Sequence, residues 1–271
     1  MEKPFWKKTR PAFHLWTVQL HAFLKREITY SSDRLVAFAA ISAGLAAAGG
    51  NRFIGGIWDG DRLHESLCWR ALKPASAVPD MPSWTWCSSP GHVSFDLIDR
   101  GASRIAEFVP GFTVKSIDVQ VNGLMTKVSG IITIRGKLFK QKSIDAASLV
   151  LTADAFQRKE LPLGYSLGKV IYMDNELGQL QDCYMLTVLT IPRNENTTLP
   201  MVQHPAVLKL LLQPVLGRNN VFKRVGIGIQ YADNPLDKKR KADNSVPRYS
   251  HMWLKWLEEG EYMGEKDIIL V

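Results

Sequence analysis

Aromatic side chains are the most concentrated group in this sequence that could do chemistry, because four tryptophans lie close together at Trp58, Trp69, Trp84 and Trp86. A cluster of aromatic rings in a loop can stack a ligand or a nucleobase on its faces. The same rings can instead join two parts of a fold, since each aromatic side chain buries roughly 150–250 Å². We favour the junction and predict that all four rings are buried. Ligand stacking stays open as the alternative.

Hydroxyl and carboxylate groups near the tryptophans do not form a catalytic signature. A serine nucleophile needs a neighbouring base and a strained turn such as Gly-x-Ser-x-Gly, and the sequence around Ser83 supplies neither. The carboxylates of Asp59, Asp61 and Glu65 could serve acid–base or metal chemistry. An Asp-Gly-Asp sequence is more typical of a turn followed by a helix cap. We therefore predict no catalytic residue and favour a protein that is not an enzyme.

Metal and nucleotide sites are not indicated either. Cys68, Cys87 and Cys183 form no Cys-x-x-Cys pair, and the histidines form no His-Glu-x-x-His group. An odd number of widely spaced cysteines favours buried free thiols in a reducing compartment. The pair Gly226-x-Gly228 lacks the third glycine of a dinucleotide-binding turn. The sequence thus predicts neither a metal nor a cofactor.

Positive charge is in excess, with 34 Lys and Arg against 26 Asp and Glu and a net charge of +8. Most of it is scattered, and the clearest concentration is Lys238, Lys239, Arg240 and Lys241. We interpret this run as a solvated loop, with a nuclear-import signal or a patch for an anionic partner as alternatives. No aromatic residues interleave with the basic ones, so nucleic-acid binding is not favoured.

The most apolar run, residues 35–48, is too short to cross a membrane. Fourteen helical residues span about 21 Å, whereas the hydrocarbon core is about 30 Å thick. The run therefore predicts a buried helix at the centre of a helical core. No apolar segment typical of a secretory signal follows the first basic residues. We expect an intracellular, cytoplasmic protein without a membrane span, with the nucleus as an alternative location.

Helical spacing dominates the first quarter of the chain. Apolar residues at Phe13, Trp16, Leu20 and Phe23 recur every three to four positions, which predicts an amphipathic helix. Two shorter helical pieces are expected at 53–58 and 62–72. These observations predict a helical subdomain over 1–73, followed by a linker over 74–94 that contains the sequence Pro-Ser-Trp-Thr-Trp.

Strand-like runs dominate from residue 95 onward. Apolar residues alternate over 112–121, and the following Asn122-Gly123 is a strong hairpin signal. One apolar run, 207–212, is ambiguous between strand and helix. A short helix is expected near 249–259, and further strands at 125–139, 148–152, 169–173, 183–191, 221–231 and 267–271. The predicted fold is α+β: an N-terminal helical subdomain packed on a larger strand-rich subdomain, 95–271, that is mostly antiparallel and sandwich- or barrel-like.

Several segments of the first 86 residues share an order and spacing of motifs. A tryptophan-led helix is followed by Asp-Arg-Leu-Val-Ala, by Phe-Ile-Gly-Gly-Ile-Trp, by Leu-x-x-x-Leu-Cys-Trp and by Pro-Ser-Trp-Thr-Trp. This block resembles the region that follows the HET domain in fungal heterokaryon-incompatibility proteins. A weaker similarity continues near the end of the chain. The matching segments are 16–29, 33–37, 53–58, 63–69, 82–86, 222–226 and 268–271.

The resemblance implies a role in fungal self/non-self recognition or its regulation, with another HET-type protein as partner. It implies no catalytic residue, because the tryptophan-and-glutamine motif of the HET domain itself is absent from this sequence. The expected function is a non-catalytic HET-associated recognition or regulatory module, or a truncated incompatibility-type protein. The alternatives are a protein of fungal secondary metabolism that binds a small apolar molecule in an aromatic-lined pocket, or a basic nuclear or nucleic-acid-associated protein.

Overall fold

The computed structural model of the protein combines an N-terminal helical hairpin, a compact connecting segment and a β-barrel. Predictions for the basic run 238–241, for a strand at 148–152 and for a helix near 249–259 lie outside the residues that the structure describes. The described residues are 5–26, 28–30, 33–49, 52–60, 62–73, 75–95, 107–108, 111–122, 128–141, 169–174, 182–191, 206–231 and 261–271.

The hairpin consists of helix α1, Phe5–Leu24, and helix α2, Arg34–Gly49. The predicted stripe of α1 is confirmed, because its apolar residues from position 13 onward at helical spacing are buried. The indole Nε1 of Trp16 donates a hydrogen bond of 3.1 Å to Ser42 Oγ in α2. This bond satisfies two buried polar atoms and fixes the two helices against each other.

Helix α2 differs from the expectation of a helix surrounded by core. Leu35, Phe38 and Ala46 form a buried stripe, whereas Val36 and Ile41 are 39% and 40% exposed. The reason is positional: α1 and the connecting segment cover one side of α2, so its uniformly apolar composition does not translate into uniform burial.

The connecting segment, residues 52–95, is where the secondary structure departs from the sequence prediction. The helix expected at 53–58 is wrong, since β1 and β2 form an antiparallel hairpin there. The helix expected at 62–72 shrinks to one turn, α3, and then becomes a strand, β3, that pairs with β4. The elements are β1 (Phe53–Ile54), β2 (Ile57–Trp58), α3 (Leu63–Ser66), β3 (Arg70–Ala71), a 3₁₀ turn (Trp86–Ser88) and β4 (Val93–Ser94).

Two consecutive glycines explain the β1–β2 hairpin. Gly55 and Gly56 adopt φ angles of +59° and +95°, which L side chains rarely adopt and a helix does not contain. A Cβ atom on Gly55 would stand 2.8 Å from Val128 Cγ1 and 3.0 Å from Val119 Cγ1. The turn of the hairpin therefore rests directly on the two strands that carry these valines, Thr113–Val121 and Val128–Gln141.

Gly56→Ala tests this account of the turn. The new Cβ would overlap Thr85 Oγ1 and lie 3.3 Å from Trp86 Nε1, in addition to the positive φ. We expect a loss of roughly 2–5 kcal/mol in the free energy of unfolding, the sum of backbone strain and overpacking. Urea denaturation of the variant and of the original chain measures this loss in the free energy of unfolding.

Gly60→Ala is the matched control for that substitution. Gly60 has a similar φ of +88° but nothing within 4 Å of its would-be Cβ. Its expected loss is the backbone cost alone, about 1–2 kcal/mol. Equal losses for the two variants would contradict the close packing of Gly56.

Strands β7, β9, β10, β11 and β12 close a five-stranded barrel, because each pairs with the next and β12 pairs with β7. All these pairs are antiparallel except β11 with β12. Strands β5, β6 and β8 extend the sheet from β9, β7 and β11. Their bounds are β5 Glu107–Phe108, β6 Thr113–Val121, β7 Val128–Gln141, β8 Lys169–Met173, β9 Cys183–Ile191, β10 Ala206–Pro214, β11 Val221–Tyr231 and β12 Glu261–Leu270.

The barrel confirms the α+β prediction and places the helices before the strand-rich body. The ambiguous run 207–212 is a strand, because it lies between β9 and β11 and hydrogen-bonds to both. Closure leaves these central strands without free edges. No helix in the described part of the chain has the length and apolarity needed to cross a membrane. The barrel core includes Ile132, Ile134, Leu138, Leu186, Leu208, Leu210, Ile227, Ile268 and Leu270.

Candidate functional site

The four clustered tryptophans lie at the meeting point of the helical hairpin, the connecting segment and the barrel. Each has a relative exposure of 0%, so the predicted burial of Trp58, Trp69, Trp84 and Trp86 is confirmed. We call these four residues and their direct contacts the aromatic junction.

On the helical side, the junction is a set of aromatic ring contacts. The ring of Trp58 lies edge-on to Trp16 of α1, with ring centroids 6.0 Å apart. The ring of Trp86 meets Phe38 of α2 in the same way at 6.2 Å. Edge-to-face pairs at such distances add about 0.5–1.5 kcal/mol each beyond the area that they bury. Two tryptophans of the connecting segment thereby hold one helix each.

On the barrel side, the junction contains a buried cation. The guanidinium carbon of Arg224 in β11 stands 3.5 Å from the centroid of the Trp69 ring. One of its amino groups, Nη2, donates a hydrogen bond to the carbonyl of Trp69. The other, Nη1, lies 3.2 Å from Oδ2 of Asp174, which directly follows β8. One arginine side chain thus joins the connecting segment to two neighbouring strands.

Burial governs the electrostatics of this pair. Loss of hydration raises the pKa of Asp174 to about 7, although the attraction of Arg224 opposes the rise. Burial also lowers the pKa of Arg224, and Asp174 opposes that shift. A guanidinium nevertheless keeps its proton at neutral pH, because its ordinary pKa lies far above 7. The carboxyl is therefore the group of this pair that changes charge near neutrality.

Ser83 holds the end of the barrel. Its hydroxyl oxygen accepts a hydrogen bond of 2.8 Å from the backbone N–H of Arg224 and donates its own proton to the carbonyl of Val271. The backbone N–H of Ser83 also donates to that carbonyl, at 3.1 Å. The hydroxyl proton is therefore engaged in a structural bond that ties the last strand to the connecting segment.

The carboxylates near Trp58 do not converge. Asp59 pairs with Arg52 at the surface, with 2.5 Å between carboxylate and guanidinium. Glu65 pairs with Arg62 instead, also at 2.5 Å, in a buried contact. Asp61 lies outside the described residues. The two described carboxylates thus neutralise separate arginines and form no acid–base pair.

Thiols and imidazole in this region are buried in uncharged form. Burial raises the pKa of the Cys68 thiol far above its ordinary value and raises the pKa of Cys87 to about 12. Burial and the nearby Arg62 lower the pKa of His64 to about 3. Because a thiolate is the reactive form of cysteine, these two thiols are poor nucleophiles at neutral pH. In the parts of the chain that the structure describes, no three His, Cys, Asp or Glu side chains are grouped as metal ligands would be.

Arg224 and Asp174 are the junction residues that sequence analysis missed. A signal for Arg224 exists, since two basic residues, Lys223 and Arg224, interrupt an otherwise apolar stretch of strand between Phe222 and Val225. A bulge in the pairing of β10 with β11 lies at this point, where Leu212 pairs with Arg224 and Leu211 with Gly226. Arg224 is 1% exposed, whereas the preceding Lys223 is exposed, so strand alternation places the arginine side chain on the buried face. No sequence pattern marks the distant Asp174 as its partner.

Comparison with protein families, with curated proteins and with solved structures found no match to this chain.

Proposed function

We propose that the protein is a non-catalytic recognition or regulatory module of the type that follows the HET domain in fungal incompatibility proteins. The observation that carries the proposal is the aromatic junction. Trp16, Trp58, Trp69 and Trp84 come from the separate motifs of the resemblance, and all four are fully buried in one core. The motifs therefore meet in a single buried core, which supports treating them as parts of one module.

A second line of support is that the potentially reactive side chains near the junction make structural contacts within the fold. In the described residues, the Ser83 hydroxyl, the Asp174 carboxyl and the Cys68 and Cys87 thiols are buried or bonded within the fold. A group that is held in this way serves stability rather than turnover. The arrangement favours a module that acts through its surface.

The outer face of α2 is the surface we select for testing. Its exposed positions carry only apolar or small residues, including Val36 and Ile41. Exposed apolar surface on a water-soluble fold is a common mark of a partner contact. A charge placed there disrupts such a contact and leaves the buried stripe of the helix intact.

Binding between the purified chain and full-length HET-domain proteins from the same organism tests the proposal. We expect direct binding to at least one of them, and a loss of at least about tenfold in affinity for Ile41→Asp. Leu216→Asp is the matched control, because Leu216 is 96% exposed and belongs to the β10–β11 turn and not to α2. Absence of binding to every HET-domain protein, with the chain folded, would contradict the proposal.

The two alternative functions gain no support from the described residues. A ligand cannot stack on Trp58, Trp69, Trp84 or Trp86 without displacing core contacts, since all four rings are closed to solvent. The basic run 238–241, on which the nuclear or nucleic-acid alternative depends, lies outside the described residues.

A further inference from the structure

A small cavity opens beside the helical hairpin, between the end of α1, the start of α2 and the loop before β4. Its volume is about 90 Å³. Sites for drug-sized ligands have volumes of at least about 300 Å³, so this cavity suits a small ion or a single chemical group. It is lined by Leu24, Arg26, Ile28, Arg34, Pro90 and His92.

The back of the cavity is a fixed guanidinium. Arg34 is 4% exposed, and its two amino groups donate to the carbonyls of Ser89 and Gly91, the latter at 2.7 Å. The ring of Trp86 stands 5.5 Å from its guanidinium carbon. These contacts use two of the five N–H donors of the side chain, and the remaining donors keep their position because the group is held.

Two further nitrogen-bearing side chains, Arg26 and His92, stand at the rim and are exposed to solvent. No carboxylate is among the described residues that line the cavity. Leu24, Ile28 and Pro90 supply apolar walls, which lower the local dielectric and strengthen any charge pairing inside. The cavity therefore combines a fixed guanidinium, two rim side chains that can donate hydrogen bonds, and apolar walls.

We propose that this cavity binds a phosphate group of a small soluble molecule. The positive charge of Arg34, together with the N–H donors that the two carbonyls leave unused, would attract the phosphate at the back of the cavity. The side chains of Arg26 and His92 can donate hydrogen bonds to its outer oxygens. The inference is independent of the proposed partner, because it concerns a separate surface and a separate ligand chemistry.

Inorganic phosphate is the probe for this site. We expect it to raise the melting temperature of the protein in a saturable way, as a ligand that binds only the folded state does. Sodium chloride at the same ionic strength controls for screening. Isothermal titration gives the affinity, which we expect to fall about tenfold in Arg26→Ala and in His92→Ala. Both side chains are exposed, so the variants are expected to fold.

Arg218→Ala is the matched control, since it removes an exposed guanidinium from the β10–β11 turn. Phosphate affinity should be unchanged in this variant. The proposal is overturned if phosphate does not bind, if Arg26→Ala and His92→Ala bind it as the original chain does, or if Arg218→Ala weakens binding equally. It is also overturned if acetate stabilises the protein as strongly as phosphate, because the site would then lack a preference for a phosphate group.

Discussion

Trp84→Ala is expected to lower the free energy of unfolding by roughly 3–5 kcal/mol, the usual cost of removing a large aromatic side chain from a core. Trp84 is fully buried, and its ring reaches the Gly55 turn, where a Cβ atom would stand 3.2 Å from Cη2. Its carbonyl accepts a hydrogen bond of 3.1 Å from Nε1 of Trp69. Truncation leaves a cavity at the place where the connecting segment meets the barrel. Urea denaturation followed by circular dichroism measures the loss.

Two comparisons sharpen that measurement. Trp84→Phe keeps most of the aromatic surface and should cost less than Trp84→Ala. Leu216→Ala removes a large apolar side chain that is 96% exposed, so its effect should stay within about 0.5 kcal/mol. A loss below about 1 kcal/mol for Trp84→Ala would show that the ring does not fill the core, and ligand stacking would again need consideration.

As a single substitution, Arg224→Met is expected to lower the free energy of unfolding by roughly 3–5 kcal/mol. Removing one partner of a buried ion pair leaves the other partner uncompensated. The methionine keeps much of the apolar volume but none of the donors. The carbonyl of Trp69 loses its hydrogen bond, and the carboxyl of Asp174 loses its cation. Urea denaturation of the full chain gives the difference.

The pH dependence separates lost charge pairing from lost packing. Burial raises the folded-state pKa of Asp174 to about 7 from its ordinary value of 3.8, so the folded state holds its proton more tightly than the unfolded state. Stability from this group is therefore present at low pH and declines as the pH rises from about 4 toward 7. Without Arg224 the folded-state pKa rises further, and the decline continues to higher pH.

The loss caused by Arg224→Met should accordingly be larger at pH 8.5 than at pH 5.5, where Asp174 is protonated in both proteins. Adding Asp174→Leu to Arg224→Met should recover much of the stability, because an apolar pair of similar volume replaces the ion pair. An equal loss at both pH values, with no recovery in the double variant, would mean that the cost arises from packing alone.

Sequence analysis predicted those parts of the fold that leave a regular pattern of apolar residues in the chain. Apolar residues at helical spacing around Trp16 led to α1, and alternation over 112–121 led to β6. The large apolar run 207–212 stayed ambiguous, because its pairing with β9 and β11 lies in residues far along the chain. The hairpin at 53–58 was missed for a different, local reason: Gly55 and Gly56 adopt positive φ angles, which a helix does not contain, although the spacing of the apolar residues around them suits a helix.

The aromatic junction also has features that the sequence predicts and features that it does not. Burial of four tryptophans follows from their size and apolar character, which are properties of the residues themselves. The contact of Arg224 with Trp69 depends on the connecting segment lying against β11, and its pairing with Asp174 depends on β8 lying next to β11. Neither relation leaves a local pattern in the chain.

Residue chemistry alone was enough to establish an α+β fold, an apolar aromatic cluster in its connecting segment and the lack of a catalytic signature, because these depend on composition and short-range spacing. Tertiary structure decided the closure of the barrel, the ion pair at the aromatic junction and the fixed arginine of the small cavity. The physical reason is the same in each case. Such features join residues that are distant in the chain, and their energies arise only when folding brings those residues out of water and into contact.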